Sequence, residues 1–209
     1  MISIYAYSTP NSVKVPIMLE EIGLDYSIHS IDLRKGEQKS DSFRALNLNA
    51  KVPVLVDTDG PAGQPVTLSE SAAILVYLAE KSGKLLPASG PSRARVFEQL
   101  FFHASGLGAS FGHAFAQRLS TPDQQDLISR PLAEAQRTLS VLDSALSGQS
   151  FVAGDELTIA DSAHFGWLWR HAAAGVDLEK APNVQRWMRN LEERQAFRRG
   201  IERTAALSA

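Results

Sequence analysis

The segment of residues 51–71, KVPVLVDTDGPAGQPVTLSES, constrains the fold more than any other part of the chain. Pro53 follows Val52 at the start of an apolar run, so the bond between them can be cis and the chain lacks a backbone donor there. Residues 54–56 and 66–68 are typical of short strands, and the Gly- and Pro-containing turn between them predicts an antiparallel hairpin. Ser71 then begins a helix.

The two ends of this segment predict a pocket for a small zwitterionic peptide. The carbonyl and amide of Val52 can turn outward and pair with an extended ligand. Ser71 stands at a helix start, where free N–H groups and the positive end of the dipole favour a carboxylate. Glu70 supplies the opposite charge for an ammonium group. An ordinary proline-containing hairpin followed by an N-capped helix accounts for the same residues, and both interpretations stay open.

The residues before this segment predict a βαβ unit. Residues 2–5 and 26–33 have the patterns of strands, and residues 13–24 have apolar positions at helical spacing, ended by Gly23. Parallel strands need such a crossover helix. Residues 34–49 are polar and predict an irregular or weakly helical segment. Together with the hairpin and a helix over residues 71–81, the opening has a βαβ-ββα order.

The remainder of the chain predicts helices. We expect a first domain over residues 1–82, a linker over residues 83–92 and an all-helical domain over residues 93–209. Apolar stripes cover residues 97–115 and 127–146, and Pro131 is expected to kink the second of these helices or to mark its start. Residues 158–161, Thr-Ile-Ala-Asp, form a capping-box pattern that begins a helix, and another helix begins at Pro182.

Composition excludes several kinds of function. A net charge of −2 and a pI of about 6.2 provide no basic surface for nucleic acid, and no apolar run approaches the length of a membrane span. The first residues have the pattern of a strand and not of a signal peptide, so we expect a cytoplasmic protein. The chain contains no cysteine, so any thiol chemistry must use a thiol that the ligand brings.

The histidines predict no metal site. His164 and His171 are seven residues apart, too far for a pair on one helical turn, and His103 and His113 are no better placed. We expect all four to be packing or surface residues, and Trp167, Trp169 and Trp187 to be core residues.

Several motifs in order along the chain carry a family resemblance: STPNSVKV, KGEQ, NAKVPVLVD and LSESAAILVYLAEK, followed by helices with the Thr-x-x-Asp box. This arrangement resembles the glutathione transferase superfamily over essentially the whole chain, and it is most similar to the bacterial Nu class. The resemblance implies an α/β thioredoxin-like N-terminal domain, an all-α C-terminal domain and a homodimer. It also implies glutathione as co-substrate, no metal, and strong reductase activity towards small disulfides.

The resemblance also implies roles for individual residues. Thr9 and Asn11 match the positions that face the sulfur, and Val52 and Pro53 match those opposite the cysteinyl backbone. Glu70 and Ser71 correspond to the γ-glutamyl site, Gln38 and Lys51 to the glycyl site, and Arg130 to an arginine near the active site. Tyr7 is a reserve candidate at the sulfur.

Thr9 and Asn11 suit the chemistry that this resemblance implies. A free thiol has a pKa of about 8.5, so a few per cent is thiolate at neutral pH. The two side chains are hydrogen-bond donors that can stabilise the anion electrostatically, and neither can take the proton. A turn and helix-capping pair is the alternative interpretation of the same residues.

The second substrate is expected to lie between the domains, at an apolar acceptor pocket bordered by Phe111, His113 and Phe115. The glycines at positions 106, 108 and 112 leave room for a ligand or for close helix packing.

Together these observations predict a glutathione-dependent transferase or disulfide-bond reductase. A non-catalytic glutathione-binding regulatory module and a glutathione-dependent isomerase or dehalogenase are the alternatives.

Overall fold

A mixed sheet organises the first half of the chain in the computed structural model, which describes residues 1–208. Within that range the sheet has four strands in the order β2-β1-β3-β4. β1 pairs with β2 in parallel, and the other neighbours are antiparallel. The strands are β1 Ile2–Ala6, β2 Tyr26–Ser30, β3 Val54–Asp57 and β4 Val66–Ser69.

Three helices accompany these strands: α1 Lys14–Ile22, α2 Asp41–Leu46 and α3 Ser71–Ser82. Gly23 ends α1 in the left-handed conformation, with φ 75°, as its position after the apolar stripe predicts. The βαβ-ββα order is therefore confirmed. β2 ends at Ser30, three residues before the predicted end, and the predicted irregular segment contains the short 3₁₀ turn Glu37–Lys39 as well as α2.

The middle of the chain is helical. Its helices are α4 Gly90–Phe102, α5 Gly108–Ser120, α6 Gln125–Ala145, α7 Ile159–Leu168, α8 His171–Ala174 and α9 Pro182–Glu192, with a π-helical turn, His103–Leu107, between α4 and α5. α6 begins at Gln125, so Pro131 lies inside the helix and does not mark its start. Every helix within residues 1–208 is too short or too polar to cross a membrane.

The predicted capping box at the start of α7 is present. Thr158 and Asp161 satisfy each other's backbone and side-chain groups at the N terminus of the helix. The Asp161 carboxylate also accepts hydrogen bonds from Val152 N at 3.0 Å and from Trp187 Nε1 at 2.9 Å. Asp161 is therefore a fully buried anchor between three segments of the helical region.

Contacts divide the chain into two compact units. Met1–Leu86 and the chain from Glu193 onward form the first, and Pro87–Glu192 forms the second. α10, Gln195–Ala205, is followed by the 3₁₀ turn Ala206–Ser208 and packs on α1, so it joins the first unit. The sequence-predicted boundaries instead place residues 93–209 together.

The packing of α10 on α1 depends on a glycine. A Cβ atom at Gly200 would lie 2.6 Å from Ile17 N, so the two helices approach too closely for any larger residue. Arg194 Nε lies 2.7 Å from Glu21 Oε1 at one end of this contact. The sequence stripes did not predict α10, because its buried face has few large apolar residues.

Candidate functional site

One end of the sheet gathers the predicted binding residues of the first unit. Tyr5 pairs with Val54, and Val54 pairs with Ser69, so the chain leaving β1, entering β3 and leaving β4 meets at the same end. β2 runs parallel to β1 and ends there too. The residues on the segments at this end are Thr9, Asn11, Gln38, Lys51, Val52, Pro53, Glu70 and Ser71. The topology therefore brings the segments that carry these eight predicted site residues to the same end of the sheet.

The Val52-Pro53 peptide bond is cis, as the sequence predicts. Neither the N–H nor the carbonyl of Val52 is bonded to another backbone group within residues 1–208. Both groups are therefore available to an extended ligand, in the manner of an added strand.

Asn47 holds the loop that leads to Val52. Its side chain is 7% exposed, and its Nδ2 donates to the Lys51 carbonyl at 2.8 Å. Its Oδ1 accepts from Asn49 N at 3.0 Å, so both ends of the amide are used in shaping the loop. Sequence reasoning missed Asn47, because a polar residue in a polar segment gives no signal of burial.

Glu70 and Ser71 begin α3 in an unusual conformation. Glu70 has φ 69° and ψ 109°, a region that costs a non-glycine residue about 1–3 kcal/mol. The first turn of α3 carries no acidic side chain, so its free N–H groups can bind an anion. Glu70 is exposed beside this helix terminus, so an anion site and a carboxylate are adjacent.

Thr9 and Asn11 lie in the turn between β1 and α1, and they differ in whether their side-chain donors are already used in hydrogen bonds. The Thr9 hydroxyl donates to Ser12 Oγ at 2.9 Å and accepts from Ser12 N at 3.1 Å. Its proton is thus used inside the turn and must rotate to reach a ligand. Asn11 Oδ1 accepts from Lys14 Nζ at 2.8 Å, which leaves the Asn11 N–H donors for another acceptor.

Lys14 is the residue of this site that sequence reasoning missed. It is 1% exposed, and Nζ donates to Ser71 Oγ at 3.2 Å as well as to Asn11. Burial lowers the pKa of Lys14 to about 7, and the nearby Glu70 carboxylate opposes that shift. The signal was a lysine between Val13 and Val15, in the buried run of residues that begins α1.

Two further candidates border the same end of the sheet. Burial raises the pKa of Tyr7, and the neighbouring Asp32 carboxylate adds to this effect. Tyr7 therefore stays protonated, and the Arg34 guanidinium lies 5.7 Å from its ring centre. Gln38 is half-buried, and its Oε1 has no hydrogen-bond partner in the part of the chain that the structure describes.

The predicted acceptor residues of the second unit differ in their exposure to solvent. Phe111 is fully buried, with its ring 6.3 Å from the Trp167 ring, so it is a core residue and does not border an open pocket. Phe115 is 38% exposed and also contacts Trp167, at 6.4 Å between ring centroids. His113 is exposed on α5, and Arg130 is exposed on α6.

The glycines of this region serve close packing. A Cβ at Gly108 would lie 2.9 Å from the His103 carbonyl, and one at Gly112 would lie 3.3 Å from the Trp167 ring. Two of the histidines also pack in the interior of this unit. The His103 and His164 rings meet edge to face at 5.0 Å, and both are buried. Among residues 1–208 no cluster of three or more His, Asp or Glu side chains could hold a metal ion.

Two family models match the chain. The glutathione S-transferase N-terminal domain matches residues 9–81, and the glutathione S-transferase C-terminal domain matches residues 108–195. The chain is also 38% identical to the disulfide-bond oxidoreductase YghU of Escherichia coli (strain K12) over 216 residues, which is 95% of this chain and 73% of that protein.

Solved structures agree with these matches. A glutathione transferase family member from Pseudomonas fluorescens Pf-5, solved with two glutathione bound, is 37% identical with a TM-score of 0.91, over 96% of this chain and 92% of that one. A glutathione transferase from Pseudomonas putida, solved with one glutathione disulfide per subunit, is 37% identical with a TM-score of 0.90, over 96% and 90% of the two chains.

Proposed function

Because the chain belongs to the glutathione S-transferase family, we propose that it binds glutathione and uses the bound thiolate to reduce small disulfides. The observation that carries the proposal is that three groups lie at the same end of the sheet. They are the unpaired Val52 backbone, the anion-binding helix start at Ser71 and the N–H donors of Asn11. These groups complement the peptide backbone, the γ-glutamyl end and the sulfur of glutathione. The oxidoreductase name of one relative and the glutathione disulfide bound in another give further support.

Asn11 is the principal sulfur ligand in this proposal, with Thr9 as its partner. The Asn11 carbonyl is already occupied by Lys14, so a thiolate can receive its N–H groups without any rearrangement. Thr9 must release Ser12 before it can donate. One hydrogen bond to a charged group contributes about 1.5–3 kcal/mol, which corresponds to about one to two units of thiol pKa. Substituting Asn11 is therefore expected to cost more than substituting Thr9.

The reaction uses two glutathione molecules and no cysteine of the protein. The bound glutathione thiolate attacks one sulfur of a disulfide, a new S–S bond forms, and the other sulfur leaves as a thiolate that takes a proton from solvent. A second glutathione thiolate then attacks the glutathione sulfur of the mixed disulfide. Glutathione disulfide and the second thiol are released, so two glutathione molecules are oxidised as one disulfide is reduced.

Steady-state reduction of hydroxyethyl disulfide by glutathione tests the proposal. We expect turnover by the unmodified protein, and for Asn11→Ala a loss of about tenfold or more at neutral pH with a rate that recovers as the pH rises. Asn190→Ala, at an exposed position on α9, is the matched control. Glutathione binding by calorimetry without reduction of this disulfide or conjugation to a chloronitrobenzene would indicate a binding module. Turnover with an unchanged pH profile in Asn11→Ala would refute its assignment to the sulfur.

We further propose a cytoplasmic homodimer. The apolar ring of Phe101 on α4 is 67% exposed and stacks on Phe97, which supports an interface on this helix. Sedimentation of the native chain at twice the monomer mass, and of Phe101→Ser at the monomer mass, is the expected result.

A further inference from the structure

Lys14 occupies a position in which an ordinary lysine is costly. It lies in the first turn of α1, where all residues from Lys14 to Leu19 are buried. Taking an ammonium group out of water destabilises a fold unless hydrogen bonds compensate. Packing of this helix face would favour an apolar residue, so it does not explain why a lysine occupies this position.

Two hydrogen-bond partners of Lys14 belong to different parts of the proposed site. Nζ lies 2.8 Å from Asn11 Oδ1 in the turn after β1 and 3.2 Å from Ser71 Oγ at the start of α3. Asn11 and Ser71 are 60 residues apart in sequence (71 minus 11). Lys14 therefore ties the sulfur side of the site to its γ-glutamyl side.

The chemistry of an ammonium group determines how both partners are oriented. A lysine ammonium has donors and no acceptor, so it can bond Asn11 through Oδ1 and cannot bond the amide nitrogen. The Asn11 N–H groups must then point away from Lys14. Ser71 Oγ likewise accepts from Lys14, which leaves its one hydroxyl hydrogen to be donated to another acceptor. A thiolate and a carboxylate are both acceptors.

We propose that Lys14 is a positioning residue of the glutathione site, holding Asn11 and Ser71 with their remaining donors directed at the sulfur and the γ-glutamyl carboxylate. The inference rests on the proposed function. It assigns Lys14 no contact with glutathione and no proton transfer. Its contribution is to set two donors in place before the ligand arrives, so that less ordering is needed on binding. This role belongs to the ammonium form of Lys14, because a neutral amine has a lone pair that could accept from the Asn11 N–H groups.

A purely structural cross-link between α1 and α3 is the competing explanation. It would make Lys14→Met less stable, or more stable if the apolar chain packs well, without changing the properties of bound glutathione. The pKa of the bound thiol separates the two explanations, because it depends on the donors at the sulfur.

The experiment measures bound glutathione in four variants of the full chain: unmodified, Lys14→Met, Asn11→Ala and the double variant. Calorimetry gives the affinity, and ultraviolet absorbance of the thiolate against pH gives the thiol pKa. Lys14→Met is expected to weaken glutathione binding about tenfold and to raise the thiol pKa by about one unit, the effect of losing one oriented charged hydrogen bond. In the Lys14→Met background, Asn11→Ala is expected to change the thiol pKa by less than half of its effect alone. Lys180→Met, at an exposed position, is the control.

Unchanged thiol pKa and affinity in Lys14→Met would overturn the inference and leave the proposed function standing. Equal effects of Asn11→Ala in both backgrounds would also overturn it, since Asn11 would then act without Lys14. No glutathione binding by the unmodified chain would remove the proposed function and this inference with it. Lys14→Gln, a smaller polar change with the same expected direction, provides the measurement if the apolar variant folds poorly.

Discussion

Replacing Asp161 with alanine is expected to be among the most destabilising single changes in the second unit. The carboxylate is fully buried, and it accepts hydrogen bonds from Val152 N, Thr158 N and Trp187 Nε1 at 3.0, 2.9 and 2.9 Å. The substitution leaves these three buried donors without an acceptor, and each costs about 1–3 kcal/mol. Burial raises the pKa of Asp161 despite these bonds, so part of the loss is offset when the desolvated carboxylate is removed. We expect a net loss of about 3–5 kcal/mol.

Urea denaturation followed by tryptophan fluorescence measures this loss. The three tryptophans of the chain, at positions 167, 169 and 187, all lie in the second unit, so their emission reports its unfolding. A loss of 3–5 kcal/mol corresponds to a fall in Tm of about 6–20 °C for a protein of this size. Asp161→Asn retains one acceptor oxygen and is expected to lose about half as much.

Asp155→Ala, an exposed change in the preceding loop, is the control and should stay within about 0.5 kcal/mol of the unmodified protein. A loss below about 1 kcal/mol for Asp161→Ala, or an equal loss for Asp155→Ala, would refute the assignment of Asp161 as a buried anchor.

Three further predictions concern the first unit. Gly200→Ala should lower the free energy of unfolding of this unit by about 1–3 kcal/mol, because the added Cβ would meet the Ile17 backbone. Urea denaturation followed by circular dichroism measures the loss. Gly106→Ala, whose Cβ would meet a side chain at 3.1 Å, is the control. Glu70→Gly should be about 1 kcal/mol more stable than Glu70→Ala, because glycine tolerates φ 69°, while calorimetry shows the same loss of glutathione affinity in both. For Lys14, whose pKa falls from an ordinary value of 10.5 to about 7 on folding, the unfolded chain holds the proton more tightly. The free energy of unfolding should therefore rise with pH from 7 to 10 relative to Lys14→Met, by about 1.4 kcal/mol per pH unit.

Each of these predictions has an outcome that contradicts it. Equal stability of Gly200→Ala and the unmodified protein would mean that the helices can separate without cost. Equal stability of Glu70→Gly and Glu70→Ala would show that the positive φ at this position is not strained. Parallel pH profiles for the unmodified protein and Lys14→Met would place the folded-state pKa of Lys14 near its ordinary value.

The sequence predicted the hairpin, the cis-compatible proline and the helix start of the proposed site because each part has a local signal. Pro53 after Val52, and Glu70 before a helix beginning with Ser71, are recognisable within a few residues. The parallel β1–β2 pair and the β3–β4 hairpin then bring those parts to the same end, and this follows from strand order alone. Local chemistry, the family resemblance and the topology together place the segments of eight proposed site residues at this end, and their binding roles stay predictions.

The missed residues have roles that depend on distant partners. The apolar neighbours of Lys14 indicate burial, but they do not identify its partners, and 57 residues separate it from Ser71. Asn47 resembles a loop residue until the Lys51 carbonyl is seen to occupy its amide. Phe111 was assigned to a pocket from its place on a helix stripe, and its burial against Trp167 depends on the arrival of another helix. Such roles depend on long-range packing, which no short pattern encodes.

The close contact of α10 with α1 has a consequence for the order in which the protein is completed. α10 is the last α-helix of the described residues, yet it covers part of the first unit, whose sheet and other α-helices are synthesised before residue 87. During synthesis the face of α1 around Ile17 stays uncovered until the 106 residues of the second unit, Pro87–Glu192, have been made. The first unit thus reaches its final form after the second has been made, although domains generally fold in the order of synthesis. Shortening the C terminus before Gln195 would consequently leave an apolar surface open on the unit that contains the proposed glutathione site, far along the chain from the deletion.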